Sequence, residues 1–386
     1  MIPFSKQTIN NKDIKSVIKV MKSDFLTQGK KVIEFEKKIS KYTKSKFAIS
    51  SNSGSSSLHL ACLSLNLKKN DIVWTVPNTF AASANSALLC GARVDFVDIN
   101  PNTWNIDLKQ LELKLKNSKK KKKLPKILIP VHFAGQPTDQ KEIWNLSKKY
   151  NFKIIEDASH SFGAKKINEI VGSCKWSHIT VFSFHPVKII TTAEGGMATT
   201  NNEKYANKMR MYRTNGIVKD RRLLERKKNF SPWYYEHQAV GHNFRMSEIS
   251  ASLGISQLSR VNEFIKKRNK VANYYKKILK DLPIKVQEIK KENLSSYHLF
   301  IIKLNLKFFK YRYKAIFQKL RSNNFFVNLH YMPLHLSPYF RKKGFKENQF
   351  PEAENFSKMA ISIPIFPNIK KNQIIRFYRL LKSFIK

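Results

Sequence analysis

Acidic residues are scarce in this chain: 27 Asp+Glu stand against 72 Lys+Arg, a formal net charge of +45 over 386 residues. Cysteine is scarcer still. Cys62, Cys90 and Cys174 are too few and too scattered for a disulfide framework or a zinc site. Long apolar runs are missing, and stretches such as Ile127–Val131 fall far short of the roughly 18 residues a membrane helix needs. That excludes an integral membrane protein. The opening Met1–Gln7 has no apolar core and no small-residue cleavage site, so no signal peptide is expected and the chain is placed in the cytoplasm. Hydrophobic residues at 42% and aromatics at 12% leave enough to bury, and the length favours two domains over one.

The positive charge invites a nucleic-acid reading, but its composition argues against one. Arginine accounts for only 14 of the 72 basic residues, leaving 58 lysines spread over the whole length. A binder of phosphate backbones or base edges is expected to use more arginine, whose fork matches phosphate bidentately. The one dense run, Lys119–Lys123, precedes Leu124-Pro125 and reads as a solvated loop. The charge reads as a compositional bias toward Lys, Ile and Asn, and nucleic acid is not the expected partner. A nucleic-acid-binding protein remains the competing class; it would lack a cofactor's absorbance.

Between residues 45 and 200, short β-branched runs alternate with amphipathic stretches. Strands are predicted at Phe47–Ser51, Asp71–Val76, Val94–Ile99, Ile127–His132, Lys153–Asp157, Ile179–Phe184 and Gly196–Thr200. Helices are predicted at Ser55–Leu67, Phe80–Cys90, Leu108–Leu115, Asp139–Tyr150 and Asn202–Arg213. Near-continuous apolar strands separated by helices imply an α/β fold whose large domain holds a mostly parallel seven-stranded sheet covered on both faces. Such a sheet places its chemistry at the carboxyl ends of its strands. A basic, irregular stretch follows from Ile217 to Ala239, then a helical segment from Ser247 to Leu279. A smaller C-terminal α/β pattern comes last: strand Tyr297–Leu304, helix Phe309–Asn323, strand Phe325–Tyr331, and helices near Ala353–Ala360 and Asn372–Ile385. The expected division is residues 1–260, a large domain with an N-terminal arm, and 261–386, the small domain.

Three segments at strand ends carry candidate chemistry. Ser51-Asn52-Ser53-Gly54-Ser55-Ser56-Ser57 follows a strand and opens a helix, whose free N–H groups and positive dipole end suit a phosphate. A plain serine-capped helix start reads equally well. Glu156-Asp157 ends a buried apolar strand, a costly place for acids unless they cap a helix or meet a cation. Lys188 sits in an apolar, Pro-fixed turn beside a hydroxyl and the Gly195-Gly196 loop, where desolvation would lower its pKa and make the amine a nucleophile able to form a Schiff base. Together the segments suggest pyridoxal phosphate, which needs a phosphate cradle, a carboxylate on its ring nitrogen and a Schiff-base lysine. Their order, cradle then Asp157 then Lys188, is that of fold-type I pyridoxal-phosphate enzymes.

Over essentially its whole length the chain resembles the sugar aminotransferases of the DegT/DnrJ/StrS family. The matching motifs are Leu26–Gly29, Ser53–Leu58, Pro77–Asn85, Val131–Gln136, Glu156–His160, Ser183–Lys188 and Gly241–Met246. Within the family, Ser183–Thr192 and Pro232–Glu236 are similar to the branch acting on UDP-linked 4-keto-6-deoxy-N-acetyl hexoses. The resemblance implies a pyridoxal 5′-phosphate-dependent aminotransferase that takes nitrogen from L-glutamate and places it on C4 of such a sugar. Another nucleotide-linked keto sugar is the alternative. It implies that Lys188 carries the cofactor and shuttles the proton, and that Asp157 pairs with the ring nitrogen. His160 would lie near the ring's phenolate oxygen and Phe80 on the ring face, though Phe80 also reads as a core aromatic. Ser55, Ser56 and Ser183 would bind phosphate. Asn243 would reach the phosphate of a neighbouring subunit's cofactor, making a homodimer with shared active sites. Thr27, Gln28, Arg213, His330 and Tyr331 are candidate substrate contacts; for Arg213 and the His330-Tyr331 pair a purely structural role reads equally well. The family's dehydratase branch carries His in place of the lysine, so Lys188 argues against it. No role is assigned to Lys119–Lys123, and the basic stretch Arg221–Lys228 would suit a nucleotide diphosphate.

Overall fold

The computed structural model describes residues 1–226 and 231–386. The expected large sheet forms from seven strands: β1 (Phe47–Ser51), β2 (Ile72–Thr75), β3 (Arg93–Phe96), β4 (Ile127–Leu128), β5 (Lys153–Asp157), β6 (Ile179–Ser183) and β7 (Gly196–Thr200). Their spatial order is β1-β7-β6-β5-β4-β2-β3. Only β7 runs antiparallel to its neighbours; β2 to β6 pair in parallel. Five strands with apolar centres, buried on both faces, need helices on either side. Helix Gly54–Ser64 answers this with nine buried residues out of eleven, a segment buried nearly all round rather than along one stripe. Ser53 starts it by accepting the Ser56 N–H.

The lysine run departs from the expectation. Helix Leu108–Lys120 continues past Leu115 and takes Lys119 and Lys120 into its last turn. Lysine is a good helix former, and positive charge at a helix C-terminus is stabilised by the peptide dipoles, so these residues extend a helix rather than a loop. The segment expected to be helical from Ser247 to Leu279 is two helices, Glu248–Leu258 and Val261–Ile278, broken at Ser259-Arg260. The longer one is shared between cores: Val261, Phe264 and Ile265 pack with the large sheet's helices, whereas Ala272 and Tyr275 pack with the C-terminal core.

The C-terminal layer is a three-stranded antiparallel sheet of Ile284–Val286, Phe300–Leu304 and Ala360–Ile363, with Phe300–Leu304 in the middle. Two expectations are corrected here. The strand predicted at Phe325–Tyr331 ends at Phe326, which pairs with Ile2-Pro3 at the N-terminus; beyond an isolated bridge at Asn328 the chain leaves the sheet and carries His330 and Tyr331 away. The helix predicted at Ala353–Ala360 ends at Ser357, because Ala360-Ile361-Ser362-Ile363 supplies the alternating, β-branched pattern of a buried strand. In the basic stretch, Ile217-Val218 pairs antiparallel with Glu236-His237, and Glu236 accepts the Glu225 and Arg226 N–H groups. Lys227 and Lys228 lie outside the described residues. Among the described residues no helix is long and apolar enough to cross a membrane.

Asp13 ties the N-terminal helix Asn11–Met21 to the large unit. It is fully buried and accepts from Asn10 N–H at 2.9 Å, Ser256 Oγ at 2.6 Å and Gln257 Nε2 at 2.9 Å, besides pairing with Arg260. Truncating it strands a guanidinium and an amide in a dry site, which typically costs about 3–5 kcal/mol. Asp13→Ala is therefore expected to lower the urea midpoint of unfolding well below that of wild type, with Asp13→Asn between them.

Candidate active site

Strand β5 delivers two adjacent carboxylates to opposite faces, as the pleat requires. Glu156 turns into a buried polar nest, accepting from Gln140 Nε2 at 2.5 Å, Thr180 Oγ1 at 2.6 Å and Ser177 Oγ at 3.1 Å, with His132 Nε2 at 3.5 Å. Burial pushes its pKa up, but the His132 charge and these donors outweigh it and hold the group below the ordinary carboxylate range. Asp157 faces the other way, into a cavity of about 580 Å³ at the strand ends. Its Oδ2 accepts Ser83 Oγ–H at 2.6 Å and its Oδ1 accepts Ser159 N–H at 3.1 Å. The helix-cap reading of Asp157 does not hold, because no helix follows it before Glu203.

The opposite wall is the start of helix Gly54–Ser64. Ser53, Gly54, Ser55 and Ser183 line it. Ser53 caps the Ser56 N–H, while the Gly54 and Ser55 N–H groups have no intrahelical acceptor. A Cβ on Gly54 would stand 2.9 Å from the Ser183 Cβ, so this position needs glycine to let the strand-end hydroxyl approach. Between the walls lies Lys188. Burial lowers its ammonium to about 8, with the nearby Asp157 charge pulling the other way. The residue as a whole is half-buried and lines the cavity.

A histidine cluster closes the site. Burial, then the Lys188 charge, push the His160 pKa well below its ordinary value. Ala134 N–H donates to its Nδ1 at 3.3 Å, which leaves the ring hydrogen on Nε2, 3.1 Å from Tyr331 Oη. His298 packs against His160 with ring centroids 4.5 Å apart and is likewise held neutral by burial. His330, lowered to about 3 by burial and by Lys188, meets Ser362 Oγ through Nδ1 at 2.8 Å. Phe80 stands at the cavity mouth, 60% exposed, which excludes its reading as a core aromatic.

The fold thus brings Ser55, Phe80, Asp157, His160, Ser183, Lys188, His330 and Tyr331 around one cavity. It leaves five candidates outside. Ser56 Oγ turns back to Asn52 Oδ1 at 2.6 Å. Arg213 pairs with Glu36 at 2.6 Å and bonds Ser50 O at 2.8 Å. Gln28 and Arg213 border a separate basic cleft with Arg210 and Arg245. Thr27 bridges Ser247 and Asn243 bridges Thr214 through backbone. Ser83, Thr79, His298 and Asn328 were not anticipated as site residues. Ser83 and Thr79 lie inside the Pro77–Asn85 motif, but only the tertiary structure shows which of its hydroxyls face Asp157.

An amine, a strand-end carboxylate and a helix N-terminus around one cavity match the three demands of pyridoxal phosphate: imine formation, a partner for the ring nitrogen, and a phosphate seat. With the doubly wound sheet, they define a fold-type I pyridoxal-phosphate enzyme. The chain belongs to the DegT/DnrJ/EryC1/StrS aminotransferase family, whose sequence model matches residues 7–382. It is an aminotransferase and uses pyridoxal 5′-phosphate. A relative in Campylobacter jejuni subsp. jejuni serotype O:2, named UDP-4-amino-4,6-dideoxy-N-acetyl-beta-L-altrosamine transaminase, is 39% identical over 368 residues, covering 94% of this chain and 92% of its own. The structure of Helicobacter pylori PseC, an aminotransferase involved in the biosynthesis of pseudoaminic acid, superposes with a TM-score of 0.89 at 31% identity, covering 99% of each chain. A putative sugar aminotransferase from Streptococcus pneumoniae in its PLP-form gives 0.88 at 25% identity, covering 99% of this chain and 98% of its own.

The Lys188 value sets a pH dependence. Only the neutral amine has a lone pair to attack an aldehyde, and its share grows as pH rises through about 8. Uptake of pyridoxal phosphate by the cofactor-free protein, followed by absorbance in a stopped-flow mixer, is expected to accelerate with a midpoint near pH 8. A midpoint above about 10 would assign Lys188 the behaviour of an ordinary surface lysine.

Proposed function

We propose that the protein transfers an amino group from L-glutamate to C4 of a UDP-linked 4-keto-6-deoxy-N-acetyl hexose. The product is UDP-4-amino-4,6-dideoxy-N-acetyl-β-L-altrosamine, an intermediate of pseudaminic acid biosynthesis. The observation that carries the reaction type is the desolvated Lys188 amine held between Asp157 and the Ser53–Ser55 helix start. The sugar rests on the 39% identity to the Campylobacter jejuni transaminase over nearly the whole chain.

Bound pyridoxal phosphate supplies an aldehyde that takes up and gives back nitrogen, and an electron-withdrawing ring that stabilises charge on the adjacent carbon. The chain's own groups do the rest. Asp157 would hold the proton on the ring nitrogen, and its two internal hydrogen bonds fix its orientation. Gly54, Ser55 and Ser183 would seat the phosphate against the helix dipole. Lys188 Nζ would hold the cofactor and carry the proton taken from the donor's α carbon, and in the second half-reaction it would deliver a proton to C4 of the sugar. Phe80 at the mouth would cover the bound cofactor and limit water.

The reading includes a homodimer with sites completed across the interface. Two observations support it. Asn243, a cofactor contact by family resemblance, does not line its own chain's cavity. Ile14, Ile18 and Met21 form an exposed apolar stripe on helix Asn11–Met21, continued by Phe25, Leu26 and Ile33. A patch of that kind marks a contact surface.

Assays of UDP- and dTDP-linked 4-keto-6-deoxy sugars with glutamate test the substrate; turnover on the UDP-linked N-acetyl sugar above the others is expected. Lys188→Ala should cut turnover by about a thousandfold or more, about 4 kcal/mol, while leaving the circular dichroism spectrum unchanged. Activity in that variant without added amine would remove Lys188 from its role.

Subunit exchange tests the shared site. Lys188→Ala and Asn243→Asp should each be inactive, the second because it sets a negative charge beside the phosphate. In a mixed dimer, trans action by Asn243 leaves one site doubly lesioned and one intact. Recovery should approach about a quarter of wild-type activity, since roughly half the dimers are mixed. Baseline activity, with exchange confirmed by mass spectrometry, would place Asn243 in its own subunit's site or in none.

A further inference from the structure

Both carboxylate oxygens of Asp157 are engaged by the protein itself, Oδ1 with Ser159 N–H and Oδ2 with Ser83 Oγ. An ionised carboxylate can only accept, so the single hydroxyl hydrogen of Ser83 is committed to it. Thr79 Oγ1 lies 2.8 Å from Ser83 Oγ. With the Ser83 hydrogen engaged elsewhere, Thr79 must be the donor in that pair. The result is a directed chain, Thr79 to Ser83 to Asp157, in which each O–H polarises the next. Both hydroxyl residues are buried, and neither side chain has another hydrogen-bond partner among the described residues.

The surrounding sequence makes the serine conspicuous. Four of the eight residues of helix Ala81–Leu88 are alanine, and its two serines, Ser83 and Ser86, are both buried, Ser83 fully so in the first turn. Alanine would serve the helix better there, and a buried hydroxyl is costly unless it is used. Its use is the carboxylate, reached at 2.6 Å over a sequence separation of 74 residues.

We propose that Ser83, oriented by Thr79, is a positioning residue for the transamination: it holds the Asp157 carboxylate in one orientation, so that its remaining lone pairs face the cofactor's ring nitrogen. A charge-assisted O–H···O⁻ bond is among the stronger hydrogen bonds. The inference rests on the reading of Asp157 as the partner of the ring nitrogen.

The test uses the cofactor-loaded enzyme and the variants Ser83→Ala, Ser83→Thr, Thr79→Val and Asp157→Asn. Ser83→Ala is expected to lower kcat about tenfold while KM for the sugar stays within about twofold. The visible absorption of the bound cofactor, titrated against pH, should shift its midpoint by about one unit in the same variant. Ser83→Thr should restore both readings, and Thr79→Val should move both in the same direction by less. An unmoved absorption midpoint in Ser83→Ala overturns the proposal, and if that variant does not fold, an unmoved midpoint in Thr79→Val does so. Asp157→Asn separates the two levels. If it keeps kcat within about threefold of wild type, the reading of Asp157 falls and the inference with it. If it is strongly impaired while Ser83→Ala is not, only the inference falls.

Discussion

At Gly54 a β-carbon would stand 2.9 Å from the Ser183 Cβ, and at Gly196 one would stand 2.3 Å from the Ser53 carbonyl oxygen. These two missing side chains let the first turn of helix Gly54–Ser64 press against the ends of β6 and β7. The contact closes the angle between the helix and the sheet, so its free N–H groups point into the same cavity as the residues leaving β5 and β6. Lys188 follows β6 by a short turn and Asp157 ends β5, so the position of both relative to the helix depends on this approach. A substituent at either glycine would push the wall outward and separate the phosphate seat from the amine.

The second constraint is electrostatic. A chain with 72 basic and 27 acidic residues has few carboxylates to place, and it spends two adjacent ones at the end of β5. The pleat separates them. Glu156 is enclosed by donors and has a structural role, whereas Asp157 keeps lone pairs toward the cavity. Around them burial keeps His160, His298 and His330 neutral, with the Lys188 charge acting in the same direction. Three uncharged imidazoles beside a desolvated amine mean that the buried charge of the cavity is carried by Lys188 and Asp157, with Glu194 at its exposed rim.

Much of the fold was legible in the chain. The strands Phe47–Ser51, Lys153–Asp157 and Gly196–Thr200 were readable to the residue, because each is a short run of small, apolar or β-branched residues bounded by polar or glycine-containing segments. Elements with mixed patterns were harder. Lys119 and Lys120 looked like loop because charge runs usually are, yet nothing prevented the helix from continuing through them. Phe325–Tyr331 looked like one strand because its pattern is right, but only its first two residues pair continuously, with the distant N-terminus, and past a lone bridge from Asn328 to Ser362 nothing extends the ladder.

For the site, the sequence by itself determined which groups were available: the serine-rich helix start, the acidic strand end and the lysine after the next strand, in an order that few cofactors require. Local chemistry suffices for that, since each group's usefulness follows from its position at a strand or helix end. Only the tertiary structure decided which of them meet. It turned Asp157 toward the cavity and Glu156 away, moved Phe80 to the mouth, carried His330 and Tyr331 in from the C-terminal unit, and supplied Ser83 from another helix. It also left Arg213 paired with Glu36 and kept Asn243 out of its own chain's cavity. The reason is physical: a side chain's direction and its partners come from packing between segments far apart in the chain, which no local pattern encodes.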